Sequence, residues 1–156
     1  MPSMNKQIKF YRANEVPYGL FSNFDRKHPI IIEGIVWAST EHFFQAMKFK
    51  GTDPFYFTSI WTAKTPADAA AMGRDRSHQL RPDWEQVKDD VMREAIRAKF
   101  TQHADMRGLL LNTSDAELIE HTPNDNYWAD GGDGNGKNML GKILMEIRAE
   151  LKPKIT

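Results

Sequence analysis

Asp83-Trp84-Glu85-Gln86-Val87-Lys88-Asp89-Asp90-Val91-Met92-Arg93-Glu94-Ala95-Ile96-Arg97-Ala98-Lys99-Phe100-Thr101-Gln102-His103 is the stretch that decides the fold. It follows Pro82, and Trp84, Val87, Val91, Ala95 and Ala98 recur at the three-and-four spacing that keeps one face of an α-helix apolar. So long an amphipathic helix needs partners, and the flanking sequence supplies them. Upstream, Ser39 caps a helix running to about Phe49, with Glu41 in the first turn, where a carboxylate suits the helix dipole. Helices are expected over Pro54 to Lys64 and Pro66 to Met72 as well. Downstream, helices are expected from Asp105 to Leu111 and from Met139 to Leu151. Ile8 and Phe10 alternate with Lys9 and Tyr11 as in a short half-buried strand. Ile30-Ile31-Ile32 and Ile35-Val36-Trp37 flank Glu33-Gly34 as a hairpin, and a further short strand fits Glu117 to Ile119. The expectation is a mainly α chain of the α+β class: a single compact helical domain over residues 1–156 with a small antiparallel β-sheet near the N-terminus.

Composition narrows the function classes. With 156 residues, 40% of them hydrophobic, the chain can build a core without disulfides or metals. It has no cysteine, which excludes a disulfide framework, a thiol nucleophile, an iron–sulfur cluster and a cysteine-built zinc site. The first ten residues lack the apolar stretch of a signal peptide, and no apolar run is long enough to span a bilayer, so a cytoplasmic protein without membrane contact is expected. Lys plus Arg and Asp plus Glu both number 21, giving zero formal net charge. A protein that coats nucleic acid through phosphate contacts carries a basic excess, which this chain lacks; one local basic pocket is still allowed.

Several familiar motifs fail on inspection. Four glycines crowd into Gly131-Gly132-Asp133-Gly134-Asn135-Gly136, just before the last helix, where backbone N–H groups can approach an anion. Gly131 through Lys137 fits a phosphate-cradling loop until Asn138 stands where the magnesium-binding hydroxyl belongs. The third glycine of a dinucleotide fingerprint is replaced by Lys137, which also occupies the fifth position of a would-be calcium loop. His28, His42, His78, His103 and His121 form no ligand pair at helical spacing, so no metal and no cofactor are expected. No nucleophile-elbow pattern is present.

On the helix that begins at Ser39, Glu41, Gln45 and Lys48 fall on one side, while Phe43, Phe44, Ala46 and Met47 fall largely on the other. Glu41 and Lys48 lie about 10.5 Å apart along the helix, too far for an ordinary direct pair but within reach of one ligand from two ends. The competing account is a solvated polar stripe.

The string Ser39-Thr40-Glu41-His42-Phe43-Phe44-Gln45-Ala46-Met47-Lys48-Phe49 resembles the signature of the NADAR domain family. Further matches follow in family order: Phe21-Ser22-Asn23-Phe24; Met72-Gly73-Arg74-Asp75-Arg76; Trp84 with Val87-Lys88 and Val91-Met92-Arg93; Ala98-Lys99-Phe100. They continue through Leu118, Glu120-His121-Thr122, Asp125 with Tyr127-Trp128, Gly136-Lys137-Asn138 with Leu140-Gly141, and Leu144-Met145. The resemblance spans about residues 8 to 150. One departure is Ala129, where the family usually has glycine; a positive φ there would strain alanine by roughly 1 kcal/mol or more.

The resemblance implies cleavage of an N-glycosidic bond between ribose and an exocyclic amine. In one branch the substrates are phosphorylated intermediates of riboflavin biosynthesis, ribosylamino-pyrimidine 5-phosphates; other members remove ADP-ribose from guanine in nucleic acid. Two chemical routes are open. In the first, Glu41 and Asp125 act as a carboxylate pair, one protonating the departing amine and the other stabilising oxocarbenium charge or activating water. In the second, the sugar ring opens to an imine that Lys48 attacks, with Glu41 moving protons. Lys48 then needs a lowered pKa, for which Phe43, Phe44, Trp37 and Trp128 could build an aromatic pocket; its other role is to anchor phosphate. The expected catalytic residues are Glu41, Lys48 and Asp125, and the expected substrate-binding residues are Asn23, Trp37, Gln45, Arg74, Trp84, Trp128, Lys137 and Asn138. Arg76 is an even choice between a phosphate ligand and a surface ion pair.

The leading expectation is an N-glycosidase acting on a small phosphorylated ribosyl-amine. A hydrolase of ADP-ribosylated guanine is the alternative, in which nucleic acid enters only as substrate. A non-catalytic sensor of ADP-ribose or NAD is the third reading, and oligomeric state is left open by all three.

Overall fold

In chain order the elements are β1 (Gln7–Phe10), a 3₁₀ turn (Tyr18–Phe21), β2 (Ile30–Ile32), β3 (Ile35–Trp37), α1 (Thr40–Met47), α2 (Pro54–Trp61), α3 (Pro66–Arg74), α4 (Trp84–Gln102), α5 (Ala104–Leu111), β4 (Glu117–Glu120) and α6 (Met139–Leu151). The computed structural model describes residues 6–154; Met1 to Asn5, part of the stretch read as lacking an apolar leader, lie outside the described residues. The sequence placed all six helices, with boundaries that shift by at most a few residues. No helix among the described residues is long and apolar enough to cross a membrane.

The chain forms two compact units, Asn23–Lys99 and the described residues before and after it. The middle unit opens with the expected hairpin. β2 and β3 pair antiparallel, Ile30 opposite Trp37 and Ile31 opposite Val36. Glu33 (φ 52°) and Gly34 (φ 78°) both take the left-handed conformation that a two-residue turn of this hand demands. Alternation then buries Ile30 and Trp37 and exposes Ile31 and Val36.

Each of the next three helices starts on a capping side chain. Ser39 accepts from the His42 N–H, Asp53 from Tyr56 and Thr65 from Asp68, and Pro54 and Pro66 occupy first-turn positions where no N–H is needed. The imidazole of His42 completes the first cap: Nδ1 lies 2.7 Å from the Ser39 hydroxyl, and Nε2 lies 2.9 Å from the carbonyl of Ala63. That carbonyl can only accept, so Nε2 carries the proton and the hydroxyl donates to Nδ1. Burial holds the His42 pKa below its ordinary value, consistent with this neutral form.

In the terminal unit, the short strands read at either end of the sequence turn out to be partners. β1 and β4 pair in parallel, Ile8 opposite Leu118 and Phe10 opposite Glu120. α6 packs on β4 so closely that a side chain at Gly141 would overlap the Leu118 carbonyl and the Asn138 amide. Asn138 itself takes a left-handed conformation (φ 52°). Its Oδ1 accepts from the Glu120 N–H at 3.0 Å, and its Nδ2 donates to the Leu118 carbonyl at 2.9 Å. A side-chain amide thereby satisfies β4 as a neighbouring strand would.

Candidate active site

Helix α1 is short, yet all eight of its residues are buried, as are Lys48 and Phe49 after it. Glu41, Gln45 and Lys48 are therefore no solvated stripe. Burying a carboxylate, an amide and an ammonium on one helix face is costly unless each finds partners.

Gln45 Nε2 donates to Glu41 Oε1 at 2.7 Å. One turn on, Lys48 Nζ donates to the Gly73 carbonyl at 3.3 Å. The amine also stands 5.7 Å from the centroid of the Phe44 ring and 6.0 Å from that of Trp84. Those two rings meet edge to face at 5.1 Å and form the apolar wall. Desolvation is the main cause that drives the Lys48 pKa down to about 8, and the Arg76 and Arg74 guanidinium groups reinforce it. The charge of Glu41 acts the other way without cancelling them. Arg76 Nη1 donates to the same Gly73 carbonyl at 2.8 Å, so the exposed end of α3 brings a fork of donors beside the buried amine.

Asn23 precedes α1 in the chain and is buried at its N-terminal end. Its Oδ1 accepts from the Thr40 hydroxyl at 2.7 Å, its Nδ2 lies 3.5 Å from Met92 Sδ, and its carbonyl accepts from the Glu41 N–H at 3.3 Å. Two residues later a buried ionic cluster begins. Asp25 Oδ2 meets His28 Nδ1 at 2.6 Å and Lys99 Nζ at 3.2 Å, while Asp25 Oδ1 accepts from the Lys27 N–H. Burial pushes the Asp25 pKa up, but the Lys99 cation and these hydrogen bonds outweigh it, and the carboxyl stays below its ordinary value.

The middle unit thus gathers Asn23, Glu41, Gln45, Lys48, Arg74, Arg76 and Trp84. Trp37 belongs elsewhere. It is 1% exposed, packs edge to face on Phe43 at 5.3 Å and on Phe57 at 5.6 Å, and so lies on the face of α1 turned away from Glu41 and Lys48. The aromatic wall of the lysine is Phe44 with Trp84, in place of the Trp37 and Phe43 that the sequence offered.

The other sequence-predicted residues lie in the terminal unit. Asp125 Oδ1 accepts from the N–H groups of Tyr127 and Trp128, both at 2.8 Å, and so shapes the turn that carries these rings. The Lys137 ammonium stands 5.3 Å over the Tyr127 ring. Asp130 organises the glycine-rich segment: Oδ1 accepts from Thr122 and Gly132, and Oδ2 meets His121 Nδ1 at 2.7 Å. Burial pushes Asp130 up, and the His121 ring and those N–H groups pull it down further. Ala129 is fully buried, and the left-handed non-glycine residues of the described chain are Glu33, Ser114 and Asn138. The anticipated strain at Ala129 is therefore absent.

Sequence reasoning missed Gly73, Thr40, Met92 and the Asp25–His28–Lys99 cluster. Gly73 acts through its backbone, while Thr40, Met92 and Lys99 act through contacts distant in sequence, so their places in the family motifs did not reveal their roles.

A model of the NADAR domain matches residues 9–152. The chain is 54% identical over 144 residues to N-glycosidase YbiA of Escherichia coli strain K12, covering 92% of this chain and 88% of that protein. It is 39% identical over 151 residues to the Riboflavin biosynthesis protein VVA0006 of Vibrio vulnificus, of whose length it covers 40%. The NMR structure of E. coli YbiA superimposes with a TM-score of 0.86 at 52% identity, over 94% of this chain and 85% of that one.

Proposed function

The chain belongs to the NADAR domain family and is a hydrolase of N-glycosyl bonds, and from that premise we propose that it cleaves the bond between ribose and an exocyclic amine in phosphorylated ribosylamino-pyrimidines. One observation carries the proposal: a buried lysine with its pKa lowered to about 8, on the same helix face as a buried glutamate and beside two arginines. The amine and the glutamate match a ring-opening route, and the arginines match a terminal phosphate.

In this route the lone pair of the exocyclic amine forms a C1′=N bond while the C1′–O4′ bond breaks, and the Glu41 carboxylate carries the amine N–H proton to O4′. Lys48 Nζ, neutral in part near pH 8, adds to C1′. The Glu41 carboxylate passes the proton released by the added lysine nitrogen to the exocyclic nitrogen, the C1′–N bond breaks, and a Schiff base joins C1′ to Lys48. The carboxylate then draws a proton from water as it adds to C1′ and returns it to the lysine nitrogen, whose expulsion leaves ribose 5-phosphate as the free aldehyde. Arg74 and Arg76 hold the phosphate, Trp84 and Phe44 keep the lysine dry, and Thr40 orients Asn23 for a substrate hydroxyl or base edge. Asp125 shapes the Tyr127–Trp128 turn. The name of the Vibrio relative supports a riboflavin-type pyrimidine as substrate, and zero net charge favours a small anion over a polyanion.

The test supplies the ribosylamino-pyrimidine 5-phosphate and, separately, an oligonucleotide carrying ADP-ribosylated guanine, and follows release of ribose 5-phosphate or ADP-ribose. Turnover of the small substrate, lost in Glu41→Ala and trapped by borohydride only when Lys48 is present, is the expected result. Turnover of the oligonucleotide alone moves the assignment to the ADP-ribosyl branch. Binding of ADP-ribose with no turnover of either substrate replaces the enzyme with a sensor.

A further inference from the structure

Gln45 is 93% buried, and while its Nε2 serves Glu41, its Oε1 accepts no hydrogen bond among the described residues. A buried amide oxygen without a donor is a cost that the fold tolerates for a reason. The reason lies across the helix contact, at Gly73. This glycine sits inside α3 with no left-handed φ, so the backbone does not call for it, and alanine would be the better helix former. Space calls for it instead: a Cβ there would overlap the Gln45 Oε1. The bare Cα of Gly73 is the seat of the Gln45 carboxamide, and that seat turns Nε2 toward Glu41. The same residue's carbonyl accepts from Lys48 Nζ and from Arg76 Nη1.

We propose that Gly73 is a positioning residue for the reaction: its missing side chain seats the Gln45 amide that orients the Glu41 carboxylate, and its carbonyl fixes the Lys48 amine and the Arg76 guanidinium. Gln45 accordingly acts on Glu41, not on substrate. With its Oε1 turned to Gly73, Gln45 offers Glu41 only donors, which fixes one carboxylate oxygen as an acceptor and sets the rotamer from which the other meets the substrate. One backbone position thereby registers acid/base group, nucleophile and phosphate grip against one another. This rests on the N-glycosidase assignment of the Glu41–Lys48 site.

A double-mutant cycle on the full chain tests it. Gly73→Ala collides with the movable carboxamide end of Gln45 and only crowds its Cβ, so the circular dichroism spectrum and unfolding midpoint stay close to wild type, while kcat falls about tenfold or more and KM changes by less than about threefold. Gln45→Ala lowers kcat comparably, and the double variant is no worse than Gln45→Ala alone, because both changes remove one contact. Borohydride trapping through Lys48 persists in Gly73→Ala, since the carbonyl remains. Independent losses that multiply, or wild-type kcat in Gly73→Ala or in Gln45→Ala, overturn the proposal. The side-chain amide NMR signal of Gln45 supplies a readout without turnover: it follows Glu41 in the wild type, shifts in Glu41→Gln, and is displaced in Gly73→Ala. If the wild type cleaves no ribosyl-amine, the functional assignment fails, and an unmoved Gln45 signal in Gly73→Ala would separately refute the seat. Should Gly73→Ala fail to fold, the same change in the Gln45→Ala background decides: with the carboxamide gone the double variant should fold and match Gln45→Ala in kcat, and its failure to do so refutes the seat.

Discussion

Lys48 Nζ stands 5.7 Å from the centroid of the Phe44 ring, four residues before it on the same helix turn. An exposed lysine holds its proton until near pH 10.5, whereas burial lowers this one to about 8. At pH 7 about one-tenth of such amines are neutral, against about one in three thousand for an unperturbed lysine. Since only the neutral amine attacks an imine, kcat/KM should rise with pH between 6 and 9, with an apparent pKa near 8, and Lys48→Arg should abolish turnover. A flat profile over that window would assign Lys48 to phosphate anchoring.

The same burial makes the lysine a burden on the fold. Its folded pKa lies below its unfolded one, so the unfolded chain binds more protons between them, and stability rises with pH from about 8 to about 10.4. Below pH 8 the whole cost is present. Lys48→Met keeps the packing and removes the charge, so it should stabilise the protein by about 1–3 kcal/mol at pH 7 while eliminating activity. Urea unfolding of both proteins at pH 7 and pH 10 checks this: the gap should narrow at the higher pH.

The sequence carried the helices, the hairpin and the Glu41-to-Lys48 face because each is a local pattern: caps at Ser39, Asp53 and Thr65, and apolar spacing in α4. The pairing of β1 with β4 was not legible, since Gln7 and Glu117 are joined by tertiary contact alone. Nor was the aromatic wall. Trp37 and Trp84 look alike as isolated tryptophans, and only packing reveals that one lies against Phe43 while the other lies beside Lys48. The polar stripe was ambiguous for the same reason, because burial of α1 depends on what covers it.

Arg76 and Arg74 should act chiefly on phosphate, with a smaller effect through the Lys48 pKa that they help to lower. Arg76→Gln is expected to raise KM for the phosphorylated substrate by about ten- to a hundredfold, the range of a charge-assisted hydrogen bond. The dephosphorylated ribosylamino-pyrimidine should lose far less, no more than follows from the rise of the Lys48 pKa once the Arg76 charge is gone. A parallel loss on both substrates would instead place Arg76 in support of the Gly73 carbonyl and Lys48.

Lys99 is 1% exposed and faces Asp25, itself 3% exposed. Removing the cation leaves a buried carboxylate held, among the described residues, by His28 and the Lys27 N–H, so Lys99→Met should cost about 3–5 kcal/mol. The depressed Asp25 pKa would rise, and acid unfolding would begin at higher pH than in the wild type. Asp25→Asn combined with Lys99→Met should recover part of the loss, which thermal melts of the two variants beside the wild type would show.

Asn138 was expected to bind substrate, and its placement argues for a different outcome on mutation. Both ends of its amide are engaged by the backbone of β4, at Glu120 and Leu118, and its left-handed φ suits asparagine better than alanine. Asn138→Ala should therefore destabilise the chain by about 2–4 kcal/mol, two lost hydrogen bonds plus the backbone cost. Asn138→Gly keeps the backbone conformation at ease and should cost less. Neither should change KM at temperatures where the variant remains folded. A KM increase in Asn138→Gly, with an unfolding midpoint near that of the wild type, would return this residue to the substrate.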